Sequence, residues 1–160
     1  MMDRRGKWLW LAGALVACGL LLYLLRPPES AEKGVPAAVR QFADGVNTWR
    51  LTDAMKVVST RFRAGGLTRG DISRGLWQAR RSWQSLKIYI SHVTVQPEPG
   101  GRAATARVDV AVIGLRAAGV PDSVGEDKPV AVICRFEREG RHWRCVQADN
   151  LPWLTSEGIY

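Results

Sequence analysis

The chain has 160 residues, a formal net charge of +8 from 23 Lys and Arg against 15 Asp and Glu, and an apolar content of 46%. Once a greasy N-terminal stretch is set aside, about 125–130 residues remain, the size of one domain. There is no internal repeat and no low-complexity block, which excludes a repeat array. The basic balance would suit a nucleic acid, but the location argued next disfavours that partner.

Residues 1–7 carry Arg4, Arg5 and Lys7, and the following run from Trp8 to Leu25 has no charged side chain. Its length is close to the roughly 20 residues a helix needs to cross about 30 Å of hydrocarbon. A cleaved secretory signal has a shorter apolar core, roughly 7–15 residues, followed by a small-x-small site. Here Leu20-Leu21-Leu22-Tyr23-Leu24-Leu25 leads straight to Arg26-Pro27-Pro28. The sequence therefore predicts a transmembrane helix at 8–25, with Trp8, Trp10 and Tyr23 at interfacial depth. The positive charges before it keep residues 1–7 cytoplasmic and export the rest. In a bacterium that is a single-pass inner-membrane (cytoplasmic-membrane) protein with a periplasmic or extracellular domain. The alternative is a lipoprotein. Leu15-Val16-Ala17-Cys18 resembles a lipobox with Cys18 as the lipidated residue, although "GLLLYLL" follows where such chains turn polar. Residues 26–34, polar and Pro-rich, read as a juxtamembrane linker.

Past the linker, Pro36 suits the first turn of a helix, and Val39, Phe42, Val46 and Trp49 fall on one stripe of it. A second helix is expected from Thr52 as N-cap, with Met55, Val58 and Phe62 on its apolar side, until Ala64-Gly65-Gly66 stops it. Thr68-Arg69-Gly70-Asp71 has capping-box spacing. Behind it Ile72, Leu76, Ala79, Trp83 and Leu86 line a third helix. The period then changes to two. Lys87–Val95 is β-branched and aromatic, with a phase ambiguous enough to hide a bulge. Ala106–Gly114 alternates, with Val108, Val110 and Val112 on one side. Val130–Arg138 and Arg141–Gln147 form a hairpin about Glu139-Gly140. The fold class is α+β: three helices packed on a curved antiparallel sheet of about four strands, with the domain at 35–149 and a C-terminal extension at 150–160.

The positive charge is concentrated. Between Arg50 and Lys87 nine bases face two acids, whereas from Ile88 onward eight bases face nine acids. Arg61, Arg63, Arg69, Arg74, Arg80 and Arg81 would form a basic surface able to rest on anionic headgroups, or simply a solvated helical face.

"FADGVNTWRLTDAMKVVSTRF", "ARVDVAV" and "EREGRHWRCV" are similar in order and spacing to nuclear transport factor 2-like domains over Val35 to Asp149. The resemblance implies a curled sheet and helices enclosing a cone-shaped pocket. Some relatives are isomerases, hydratases or cyclases with acids and tyrosines in the cone, and others only bind or assemble. It also resembles inner-membrane scaffold subunits of secretion machines, which oligomerise.

Few candidates for chemistry point inward. Asp109 and Glu137 share strand faces with Arg107 and Arg135, and Asp53 and Asp71 suit first turns of helices. No catalytic triad, phosphate loop or dinucleotide fingerprint stands out. His92 and His142 lie far apart without ligand spacing, so neither a metal nor another cofactor is expected. Trp49, Trp77, Trp83, Tyr89 and Trp143 are candidates to line the cone, or to be ordinary core. A hairpin symmetric about Glu139-Gly140 sets Phe136 opposite Trp143 and Cys134 opposite Cys145. That spacing admits a disulfide, which export would favour, or two buried thiols. A bulge at Gly140 would instead put the cysteines on opposite faces.

The function expected from these readings is a membrane-tethered, exported binding or assembly module without catalytic activity, partnered by an envelope protein or by itself. The alternative is a small-molecule-binding protein, or an isomerase- or hydratase-like enzyme, using the cone.

Overall fold

The structure, a computed structural model, describes residues 15–19, 29–115, 121–123 and 129–151. The expected anchor lies outside the described residues except for 15–19, which are helical and exposed. Among the described residues no helix is long and apolar enough to cross a membrane. The C-terminal extension lies outside them beyond Leu151.

Helix α1 spans Ala31–Asn47, so residues 31–34 of the expected linker belong to the domain. The early start has a packing cause. The Trp143 indole lies over Gly34, where any Cβ would fall inside the ring, and its Nε1 donates to the Glu29 carbonyl at 3.1 Å. Glu32 in the first turn suits the helix dipole. Pro36 is therefore interior and leaves one helical carbonyl without its usual amide. Val46 on the predicted stripe is fully buried, as is Val35, which the earlier start brings into the helix. At the C-terminus the Asn47 side chain imitates a strand neighbour: Oδ1 accepts from Ile88 N–H at 2.6 Å and Nδ2 donates to Ile88 O at 3.1 Å.

The expected second helix is corrected. Only Leu51–Met55 is helical (α2), and Val58–Ala64 is a strand, β1. Met55, Val58 and Phe62 fit a helical stripe, but Val57, Val58 and Thr60 are β-branched and pair with the sheet. Leu67–Thr68 (β2) pairs back on β1, and α3 spans Arg69–Ser82. The capping box is present as expected: Thr68 N–H donates to Asp71 Oδ2 at 2.9 Å and Asp71 N–H to Thr68 Oγ1 at 3.4 Å. Trp83 ends the helix, and Leu86 belongs to the next strand.

That strand, β3, is Ser85–Pro97. It is followed by β4 (Ala103–Leu115), β5 (Pro121–Ser123), β6 (Val130–Glu139) and β7 (His142–Asp149). They form one seven-stranded sheet in the order β2-β1-β7-β6-β4-β3, with β5 on β4. The sheet is thus larger than expected, and mixed, because β1 runs parallel to β7. The suspected bulge is real. Ile90 pairs with Val110 but His92 with Asp109, which leaves Ser91 extra. This lets Ile88, Ile90, Val93 and Val95 all pack against the core.

The hairpin register is also corrected. Gly140-Arg141 forms the turn, with Gly140 at φ +64°, so Arg138 pairs with Trp143 and Phe136 with Cys145. A further register shift between Arg135 and Phe136 sets Cys134 opposite Ala148. The turn is displaced by a whole residue pair and the register shift lies beyond Cys145, so the two cysteines are no longer opposite each other but share the inner face.

Candidate functional site

Helices α1 and α3 lie against one face of the sheet and leave a cone-shaped cavity of about 810 Å³ between them. From α1 it takes Val39 and Phe42, which are half-buried because they border space rather than neighbours. The sheet supplies Ile88, Ile90, Val108, Val110, Val112, Val132 and Phe136, the inward residues that the two-residue period places on one face. Helix α3 supplies Ile72, Leu76 and Ala79, yet none of its residues is fully buried. Among the described residues the lining contains no carboxylate, imidazole, phenol, Lys or Arg. Its polar side chains are Gln78, Ser82 and the two thiols.

Both late cysteines line this cone and are free thiols, not opposed across a non-bulged ladder as the predicted hairpin had them. Cys145 is buried. Its thiol is pushed well above its ordinary range by the hydrogen bond it shares with the Cys134 side chain and by burial. Its Sγ also donates to Gln147 O at 3.2 Å. Cys145 is therefore a protonated, poor nucleophile at neutral pH.

Of the five aromatic candidates, Trp83 lines the cone. Trp49 lines an adjoining open recess of about 540 Å³, with Arg80, Arg81, Ser82, Trp83 and Gln84. Trp143 is core beneath α1, Trp77 is exposed on α3, and Tyr89 is exposed on the opposite sheet face. The half-buried aliphatics of α3 are the lining residues that the aromatic reading missed. Their signal was a helix rich in Gly and Arg whose apolar stripe is too thin to fill the space beneath it.

The expected basic surface does not hold together. Arg61 and Arg63 lie on β1 rather than on a helix. Arg61 bonds Glu137 at 2.9 Å and Glu139 at 3.1 Å, within a network that includes Arg135, Arg144 and Glu98. Ser59, fully buried, donates to Glu139 Oε1 at 2.6 Å. That bond, the Arg61 bond and the nearby guanidinium charges hold the Glu139 carboxyl below its usual range. Three bases meet three acids here, so the region is neutral. Arg69 donates to Met55 O at 3.1 Å, and Arg74 pairs with Asp71 at 3.5 Å. Among the described residues no carboxylate pairs with Arg80 or Arg81, and the Arg80 guanidinium lies 5.3 Å over the Trp77 ring. His92 and His142 are exposed, and the described residues contain no cluster of metal-binding side chains.

No protein-family model matches the chain, and no curated protein matches it either. Solved structures do. A cystatin-like protein of unknown function from Nostoc punctiforme matches 74% of this chain over 87% of its own, at 8% identity and a TM-score of 0.57. The fold is cystatin-like. The same α+β cone occurs in a protein from Novosphingobium aromaticivorans provisionally named an aromatic ring hydroxylase, at 15% identity and a TM-score of 0.62, covering 72% of this chain and 84% of that one. It occurs again in a provisional scytalone dehydratase from that organism, at 8% identity and a TM-score of 0.58, covering 74% and 80%. The cystatin-like match supports the cone expected from the nuclear transport factor 2-like resemblance, and at these identities it speaks to fold alone.

Proposed function

We propose that the chain is a membrane-tethered, exported binding module whose cone holds an apolar small molecule without transforming it. The observation that carries this reading is the 810 Å³ cavity lined by aliphatic and aromatic side chains. That volume lies within the roughly 300–1,000 Å³ of small-molecule sites. General acid–base chemistry of the isomerase or hydratase kind needs a titratable group within reach of the reacting atom. The Cys145 thiol, held protonated, is a poor candidate for it. The tether rests on the uncharged run from Trp8 to Leu25. A protein-partner reading also has support, from Tyr89, Ile113 and Ile133 exposed on the outer sheet face.

The test uses the full chain in phosphatidylcholine nanodiscs with a diazirine-bearing dodecanol, cross-linked by light and mapped by peptide mass. Saturable labelling of cone residues such as Leu76 and Val110, lost in Ala79→Phe, is expected. Labelling confined to lipid-facing segments and indifferent to Ala79→Phe would contradict the reading.

A further inference from the structure

The cone and the recess beside it differ in chemistry and share a wall. Ser82 and Trp83 line both. On the inner side lies the apolar cavity. On the outer side Arg80 and Arg81 stand with Ser82 and Gln84 around a solvent-open space. Cations in the last turn of α3 also suit the helix dipole, which accounts for the charge but not for its place in a recess bordering the cone. Three further features fix that border. Trp83 is seated over Gly114, where a Cβ would overlap the ring. Trp49 is held at φ 57°, a left-handed conformation costly for a bulky residue, and it places an indole on the rim. Arg80 is steadied over Trp77. Asp71, the one acid of α3, is taken by Arg74 near the far end of the helix, so neither rim arginine is neutralised within α3.

We propose that cone and recess are one site for a single-chain amphiphile with an anionic head group. Its hydrocarbon chain lies in the cone, and its carboxylate or phosphate meets Arg80 and Arg81, with Ser82 and Gln84 as neutral hydrogen-bonding groups. The ligand class follows from two complementarities. Hydrocarbon is driven into the aliphatic lining by the area it removes from water, and a guanidinium fork matches a planar or tetrahedral oxyanion. This inference rests on the reading of the cone as an apolar-ligand site, and the experiment separates the two.

Full-length protein in phosphatidylcholine nanodiscs is titrated with diazirine-bearing dodecanoate, with dodecyl phosphate as competitor, and in parallel with the matching dodecanol. Dodecanoate is expected to label the cone with an affinity about fivefold above dodecanol. Dodecyl phosphate should displace it. In R80Q/R81Q dodecanoate should fall to the level of dodecanol, whose labelling is unchanged, and R80K/R81K should restore most of the difference. Both substitutions sit on exposed positions, and dodecanol labelling reports that the cone is intact. Equal labelling by acid and alcohol, insensitive to R80Q/R81Q, would overturn the head-group assignment and leave the apolar cone standing. No cone labelling by either probe would overturn both.

Discussion

Helices α1 and α3 cover the same face of the same sheet, and they do so in opposite ways. Helix α1 is sealed. Gly34 admits the Trp143 indole, Gly45 admits the backbone of Ala54, Val35 and Val46 are fully buried, and Asn47 is bonded into the edge strand β3. Helix α3 has a well-made N-cap but no fully buried residue, and it carries a glycine at position 75 with nothing near the place of its missing side chain. A thin apolar stripe over a concave sheet leaves space, and that space is the cone. The difference teaches that one helix holds the fold together while the other covers a site.

The largest test of this contrast is Trp143→Ala. Losing a buried indole and its bond to Glu29 should cost about 3–5 kcal/mol, read by chemical denaturation, because the site beneath α1 cannot collapse. Asn47→Ala should cost about 1–2 kcal/mol by leaving Ile88 N–H without its partner. The same assay on Gly75→Ala should show the reverse sign, a gain of up to about 1 kcal/mol, since an interior helical glycine with free space above it gains from a methyl group. A loss there would mean that α3 is packed more tightly than its burial shows.

The smallest effect concerns neither helix. Glu139 titrates below its ordinary value of 4.5 in the folded protein. Its bonds to Ser59 and Arg61 therefore stabilise the fold fully above about pH 4.5 and lose that contribution as pH falls through the lower folded value. A stability profile between neutral and acid pH should flatten slightly at its acid end in Glu139→Gln. An unchanged profile would show that the outer-face network leaves the fold unaffected.

How much of this the sequence showed follows from the range of each interaction. The α1 stripe, the Thr68–Asp71 box and the β4 alternation are set by residues three or four apart, or two apart, and they were readable. The run Val57–Phe62 was misread because its apolar spacing fits a helix while its β-branched residues fit a strand, and the decision is made by pairing with β7. The Cys134–Cys145 relation depended on two offsets, at Gly140-Arg141 and between Arg135 and Phe136, that add in the folded hairpin and move the two cysteines out of opposition. A cavity is harder still, because it consists of the atoms that Ile72, Leu76 and Ala79 do not supply. Only the poor match between a lean helix and a broad sheet hinted at it.

The central claim is that α3 is a loosely seated cover over an apolar site. Hydrogen exchange of the full chain in phosphatidylcholine nanodiscs, with and without saturating dodecanol, tests it most directly. The account predicts interior α3 amides exchanging about tenfold or more faster than interior α1 amides in the free protein, and slowing selectively when the alcohol is present. Equal protection of the two helices, with no response to the alcohol, would contradict it.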